Sequence, residues 1–235
     1  MQRFWDSAAI EPVGAGWRIL LDGKSVYIPG GTELHLPGRR LAGAVAAEWQ
    51  AAGGHKGGRT SFADLPLTRI AGTAQVRIAP DPEPVVLELA RYGESDLLCY
   101  RAAQPEALVR RQQARWQPWL DWAATRFGAP LAVATGIVHV TQPVESLAAL
   151  AAALATHGPY ALAALGVAVP ALGSLVLGLA LAEGALDAAE AHALATLDET
   201  FQEEFWGTDA EALARRRRIG DEVAVAARFL DLLRT

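Results

Sequence analysis

The run GPYALAALGVAVPALGSLVLGLALA, residues 158–182, decides which class of fold the chain adopts. Its 25 positions hold no Asp, Glu, Lys, Arg or His, a length that can cross a bilayer. Several features favour a buried helical core instead. Gly158-Pro159 breaks the run early and Pro170 sits in its middle. Proline suits the first turn of a helix and disrupts an interior. Much of the run is alanine and glycine, which insert weakly compared with leucine, and no basic cluster flanks either end. Together with the uncharged residues preceding it, the run predicts three short helices near 146–156, 159–168 and 170–183. The last carries Leu172, Leu175, Leu177, Leu179 and Leu181 and is apolar all round, as at the centre of a bundle. A membrane-associated scaffold acting through residues 158–182 is the competing reading.

Working outward, the N-terminal side reads as sheet with helices. Trp17, Ile19 and Leu21 alternate with Arg18 and Leu20, and Asp22-Gly23 is a hairpin signal because both positions tolerate positive φ. Val26 and Ile28 carry the return strand, Pro29-Gly30-Gly31 ends it, and Glu33 to Leu36 is a third short strand. From Leu41 the period changes: Leu41, Val45 and Trp49 lie four apart on one helical face, with Gly53-Gly54 as the stop. Leu67, Ile70, Ala71 and Ala74 fit another helix. Residues 79–84, with three prolines, are a stiff linker. Pro84 opens a short helix ending at Gly93, and Asp96 to Arg101 reads as a buried strand. Beyond it, Pro105 to Phe127 is one long helix closed by Gly128 and bent at Pro118. Val133 to Val140 is β-branched and reads as a strand. Asp187 and Glu190 resemble a capping box opening a helix that runs to Trp206, and Thr208 with Glu211 repeats the pattern before a last helix towards Leu233.

Composition excludes several classes. The chain has 235 residues, 51% hydrophobic and 20% charged, so it is neither disordered nor collagen-like. A net charge of −5 argues against a nucleic-acid binder, which needs a basic face. A single cysteine, Cys99, excludes an internal disulfide framework and a Cys-built zinc site. The opening MQRFWDSAAIEP lacks the pattern of a secretory or transit segment, which points to a reducing cytoplasm.

Candidate chemistry is sparse. Gly53-Gly54-His55-Lys56-Gly57-Gly58-Arg59-Thr60 nearly matches a phosphate loop, but a helix precedes it and Arg59 replaces the lysine, so it reads as a flexible loop. His35, His55, His139, His157 and His192 are scattered without metal-ligand spacing. Cys99 in an apolar stretch reads as an inert small hydrophobe. Trp116, Trp119 and Trp122 recur every three residues and suit core packing, or a partner-binding patch. The most informative segment is 183–214, with nine acids and no Lys or Arg. A solvated face explains it. An uncompensated acidic stripe also suits a basic partner surface. Arg215 to Arg218 follow at once and can partly neutralise it.

Read together, the pieces RFW (3–5), GWRILLDGKSV (16–26), LAGAVAAEWQA (41–51), LPLTRIAGTA (65–74), SDLLCYRA (95–102), QARWQPWLDW (113–122), RFG (126–128), LGSLVLGLAL (172–181) and LDETFQEEFWG (197–207) fall in one order along nearly the whole chain. In that order the sequence resembles the assembly chaperones of F-type ATP synthase that handle the alpha subunit of its catalytic sector. The departures are the Gly-rich loop 53–60 and Phe62-Ala63-Asp64 before LPLT. The resemblance implies an α+β fold: a small mixed sheet-plus-helix domain (1–103), then a mainly α-helical bundle (104–235). It implies no enzyme activity, no cofactor and no membrane insertion, while the histidine spacing and the net charge give no metal and no nucleic acid. The implied action is that of a monomer that binds the unassembled alpha subunit and shields its inter-subunit surface. The setting is the cytoplasm for a bacterial-type chain and the mitochondrial matrix for eukaryotic relatives. Carried over residue by residue, the partner-binding residues are Asp198, Glu199, Gln202, Glu203 and Trp206, with Glu211 nearby; Glu48 and Trp49 are a second candidate. Core packing on the Leu41-Val45 stripe competes for Trp49, and an ion pair with Arg215 or Arg216 competes for Glu199. A small-molecule enzyme with its site in the cleft between domains is the alternative function.

Overall fold

A computed structural model describes residues 1–136 and 138–234. Its residues cluster into two compact units. The first takes Met1–Pro82, Gly158–Ala164 and the chain from Arg228 onward; the second takes Glu83–His157 and Leu165–Ala227. The division at 103/104, by element type, and this one, by compactness, are different partitions of the same chain.

In the first unit, strand β1 (Ala8–Val13) pairs antiparallel with β2 (Gly16–Leu21), Ile10 opposite Ile19. β2 also pairs with β3 (Lys24–Ser25) and β6 (His35–Leu36), while β4 (Tyr27–Ile28) and β5 (Thr32–Glu33) form a separate ribbon. The β2–β3 turn has Asp22 at φ 47° and Gly23 at φ 80°, the pair of positive angles that matches the right-handed twist of a hairpin. Asp22 repays its own strained backbone by accepting from the amides of Asp6 and Ser7, which fixes the chain entering β1. Helix α1 (Arg39–Ala51) lays Leu41, Ala42, Val45, Ala46 and Trp49 on the sheet, as the four-residue period predicts. The Trp5 indole donates to the Trp49 carbonyl at 3.1 Å, and the two rings meet edge to face at 5.2 Å. Helix α2 (Pro66–Thr73) follows and passes into one wider turn at Ala74–Ile78.

The second unit opens with α3 (Glu83–Ala90). Residues Leu97–Cys99 form a tight 3₁₀ turn capped by Asp96, and only Tyr100–Arg101 are strand (β7), so the strand expected over 96–101 is mostly a turn. The cause is the Asp96 carboxylate: it accepts from the Leu98 amide at 3.0 Å and competes with a ladder for the backbone. Helix α4 (Glu106–Phe127) runs through Pro118. Of the strand expected over 133–140, Ala134–Thr135 (β8) pairs parallel with β7, and Ile137 lies outside the described residues. Helices α5 (Val144–Ala155), α6 (Pro159–Leu172) and α7 (Leu175–Glu183) account for the uncharged run. The expected break at Pro170 moves to Gly173, whose φ is 62°, followed by Ser174 capping α7. Pro170 and Pro118 both lie on exposed helix faces, where the carbonyl left without a donor reaches water, so neither ends its helix. α7 is buried from Leu175 to Leu181, the core helix the sequence predicts. No described helix is long and apolar enough to cross a membrane. Finally come α8 (Ala188–Ala195), α9 (Leu197–Trp206) and α10 (Ala210–Leu233). The single helix expected from Asp187 to Trp206 is thus two, broken at Thr196, whose φ of −109° leaves the helical range.

Candidate functional site

The segment LDETFQEEFW becomes α9 because Leu197 and Phe201, four apart, find a core, and Asp198 and Glu199 sit in the first turn, where the helix dipole favours acids. Gly207, at φ 81°, ends it. Asp209, not the expected Thr208, caps α10 by accepting from the Ala212 amide at 2.9 Å.

The acids of this region do not form an uncompensated stripe. Arg111, from α4, grips Glu204 with two bonds of 2.5 and 2.9 Å, and Arg115 pairs with Glu190 at 2.8 Å. From α10, Arg215 pairs with Glu199 at 2.7 Å, the competing reading for that residue, and Arg216 pairs with Glu203 at 2.7 Å. The Glu203–Arg216 pair is only 16% and 13% exposed, so removing one partner strands a charge away from water. The Arg111 guanidinium also lies 4.9 Å above the Phe201 ring and holds the Glu204 carboxyl below the ordinary range.

Asp198 points inward. Its carboxylate accepts from the Gln112 side-chain amide at 2.8 Å, and burial pushes its carboxyl above the ordinary range. Gln112 in turn accepts from the Ala102 amide, and its backbone carbonyl accepts from Arg101, whose guanidinium covers the Trp116 ring at 5.2 Å. Trp116, fully buried, donates to the Leu194 carbonyl at 3.0 Å. Gln202 and Glu211 are exposed. So is the end of α9: Phe205 at 66% and Trp206 at 82%. Phe205 is absent from the sequence-derived set, although its place beside Trp206 at the end of an amphipathic helix was a usable signal.

The second candidate pair serves the fold of its own unit. Trp49 is 4% exposed, inside the α1 stripe. The half-buried Glu48 caps α2: its two oxygens accept from the amides of Leu67 at 2.7 Å and Thr68 at 2.9 Å, and from the Thr68 hydroxyl at 2.7 Å. Burial holds its carboxyl above the ordinary range against those bonds. The burial of Trp49 was legible from the α1 stripe; the capping role of Glu48 was not, since the amides it accepts from lie 19 and 20 residues downstream.

The Gly-rich loop, expected to be flexible, is tied down. The Arg3 guanidinium donates to the carbonyls of Gln50, Ala52 and Gly54, and the loop amides of Gly54, His55, Gly57 and Gly58 all bond to backbone carbonyls. A phosphate cradle needs those amides free. Burial pushes the Cys99 thiol up to about 12, leaving it protonated and inert. Among the described residues, no group of three or more His, Cys, Asp or Glu side chains is placed to hold a metal.

Comparison with known proteins places the chain in a family. A family model described as ATP12 chaperone protein matches residues 2–124. The crystal structure of Atp12 from Paracoccus denitrificans superposes with a TM-score of 0.93 at 42% identity, covering 99% of this chain and 98% of that one. A point mutant of the same protein matches equally well. A curated relative, the mitochondrial protein atp12 of Schizosaccharomyces pombe, is 24% identical over 225 residues, spanning 90% of this chain and 75% of its own.

Proposed function

The chain belongs to the ATP12 chaperone family, chaperones of ATP synthase assembly, and from that premise we propose that it binds the unassembled alpha subunit and shields the surface that will later face a neighbouring subunit. An orphan subunit exposes an interface-sized apolar patch, and such patches aggregate unless covered. A useful cover is weaker than the native interface, so that assembly displaces it.

The contact face is α9 and the start of α10: Glu199, Gln202, Glu203 and Trp206, with Glu211, backed by Asp198. The single observation that supports this face is Trp206, 82% exposed in a chain whose Trp5, Trp49 and Trp116 are each at most 4% exposed. A large aromatic left in water is a marker of recognition, since tryptophan is enriched where partners bind most strongly. The chemistry is binding and release, with no bond made or broken.

Glu199→Lys tests the face. The residue is half-buried, with its side chain 42% exposed at the surface, so the fold survives; the new ammonium would sit beside Arg215 and push the two helices apart. Pull-down of purified alpha subunit is expected to fall at least about fivefold, with the circular dichroism spectrum unchanged. Equal capture by mutant and wild type removes the assignment.

A further inference from the structure

We propose a division of labour within this face: the aromatic pair Phe205–Trp206 at the tip of α9 makes the contact, its partner surface on the unassembled subunit is apolar, and the acids around it are braces. This deepens the reading above and rests on α9 being the client face.

The charges come first. The four acids of α9 are Asp198, Glu199, Glu203 and Glu204, and each accepts from a side chain of its own unit at 2.5 to 2.8 Å. A basic partner surface would meet carboxylates already partnered within the unit, and so would gain less from them than from free acids. An apolar surface leaves every one of them intact. The charge pattern of the face therefore complements an apolar occupant and not a basic one.

The braces also converge on the tip. Phe205 packs on Phe201 with ring centroids 5.0 Å apart. Phe201 is 4% exposed and lies under Arg111, which Glu204 holds with two bonds. Glu199 and Glu203 tie the same helix to Arg215 and Arg216. Just beyond Trp206, Gly207 turns the chain and Asp209 caps the next helix. The backbone of the tip is consequently held from both sides, and an anchor carried on an ordered backbone loses less entropy on binding. Two adjacent aromatics together offer roughly 300–500 Å² of contact, the scale of an anchor rather than a rim.

The experiment uses the full chain and purified alpha subunit, with capture measured by titration. Phe205→Ala with Trp206→Ala is expected to weaken capture about tenfold or more, with only a small fall in Tm, since both side chains are largely exposed and the Phe205–Phe201 contact alone is lost. Raising salt from about 50 to about 500 mM is expected to change wild-type capture less than about threefold, since screening acts on charged contacts. The charge swap Glu199→Arg with Arg215→Glu rebuilds the brace in reverse and is expected to bind within about twofold of wild type. An acid that touches a basic client cannot be rescued that way. Undiminished capture by the double alanine variant, loss of capture in a folded charge-swap variant, or a steep fall with salt each overturns the proposal. If the wild-type protein fails to capture alpha subunit at all, the functional reading falls, and this proposal with it.

Discussion

Asp96 shows what one buried carboxyl does. It is fully buried, accepts from the amides of Leu98 and Val176 at 3.0 Å each, and so caps both the 3₁₀ turn and the start of α7. Burial outweighs those bonds and raises its pKa from 3.8 to about 6. A carboxyl raised on folding binds its proton more tightly in the folded state, so its contribution is fully present below pH 3.8 and is lost as pH rises to about 6. Thermal melts between these limits are expected to show a component of Tm that declines with rising pH and is flat above, and Asp96→Asn is expected to abolish that slope. A slope that survives the substitution assigns the titration elsewhere. Glu48 is the second case. Truncation to alanine leaves the amides of Leu67 and Thr68 without their acceptor, a loss of ~1–2 kcal/mol in urea denaturation. Client capture below the unfolding transition is expected to stay at the wild-type level; a folded variant that no longer captures returns Glu48 to the contact surface.

Helices report how much of the molecule could be read from its residues. The α1 stripe, the Asp22-Gly23 turn and the buried α7 follow from local period and local backbone preference, so they were legible. The departures have non-local or competing causes. β1 carries Pro12, a poor strand signal tolerated because β1 is an edge of its sheet. The break at Thr196 follows neither a glycine nor a proline. The charge pairing of α9 depends on Arg111, 93 residues upstream, which no window of sequence joins to Glu204. Of the proposed contact residues, Trp206 was recognisable by type and place, whereas the inward turn of Asp198 towards Gln112 was not, since its position on the helix does not say which neighbour it meets. Close packing supplies a prediction at this scale. A Cβ on Gly178 of α7 would stand 2.4 Å from the Val169 side chain, while one on Gly166 of α6 would meet nothing within 4 Å. Alanine is the better helix former at both positions, by ~1 kcal/mol. Gly166→Ala is therefore expected to raise Tm, and Gly178→Ala to lower stability by ~1–3 kcal/mol as the clash outweighs propensity. Shifts of the same sign in both melts contradict the packing argument.

At the scale of the chain, the first unit is assembled from three separated pieces, the last beginning at Arg228. That piece supplies Phe229 and Leu230, 0% and 3% exposed, and Asp231, which pairs with Arg40 at 3.0 Å. Burying two such side chains contributes roughly 1.5–3 kcal/mol each, against a total of about 5–15 kcal/mol for a typical domain. Deleting residues 228–235 is therefore expected to make the segment 1–82, far upstream, sensitive to limited proteolysis; unchanged resistance there would separate the two. The same threading has a consequence for biosynthesis. The ribosome makes the sheet first and its completing turn much later, so a growing chain carries an unfinished N-terminal unit until Arg228 and the residues after it have emerged. For that interval the newborn chaperone is in its client's predicament, with a surface waiting for a piece that has not yet arrived.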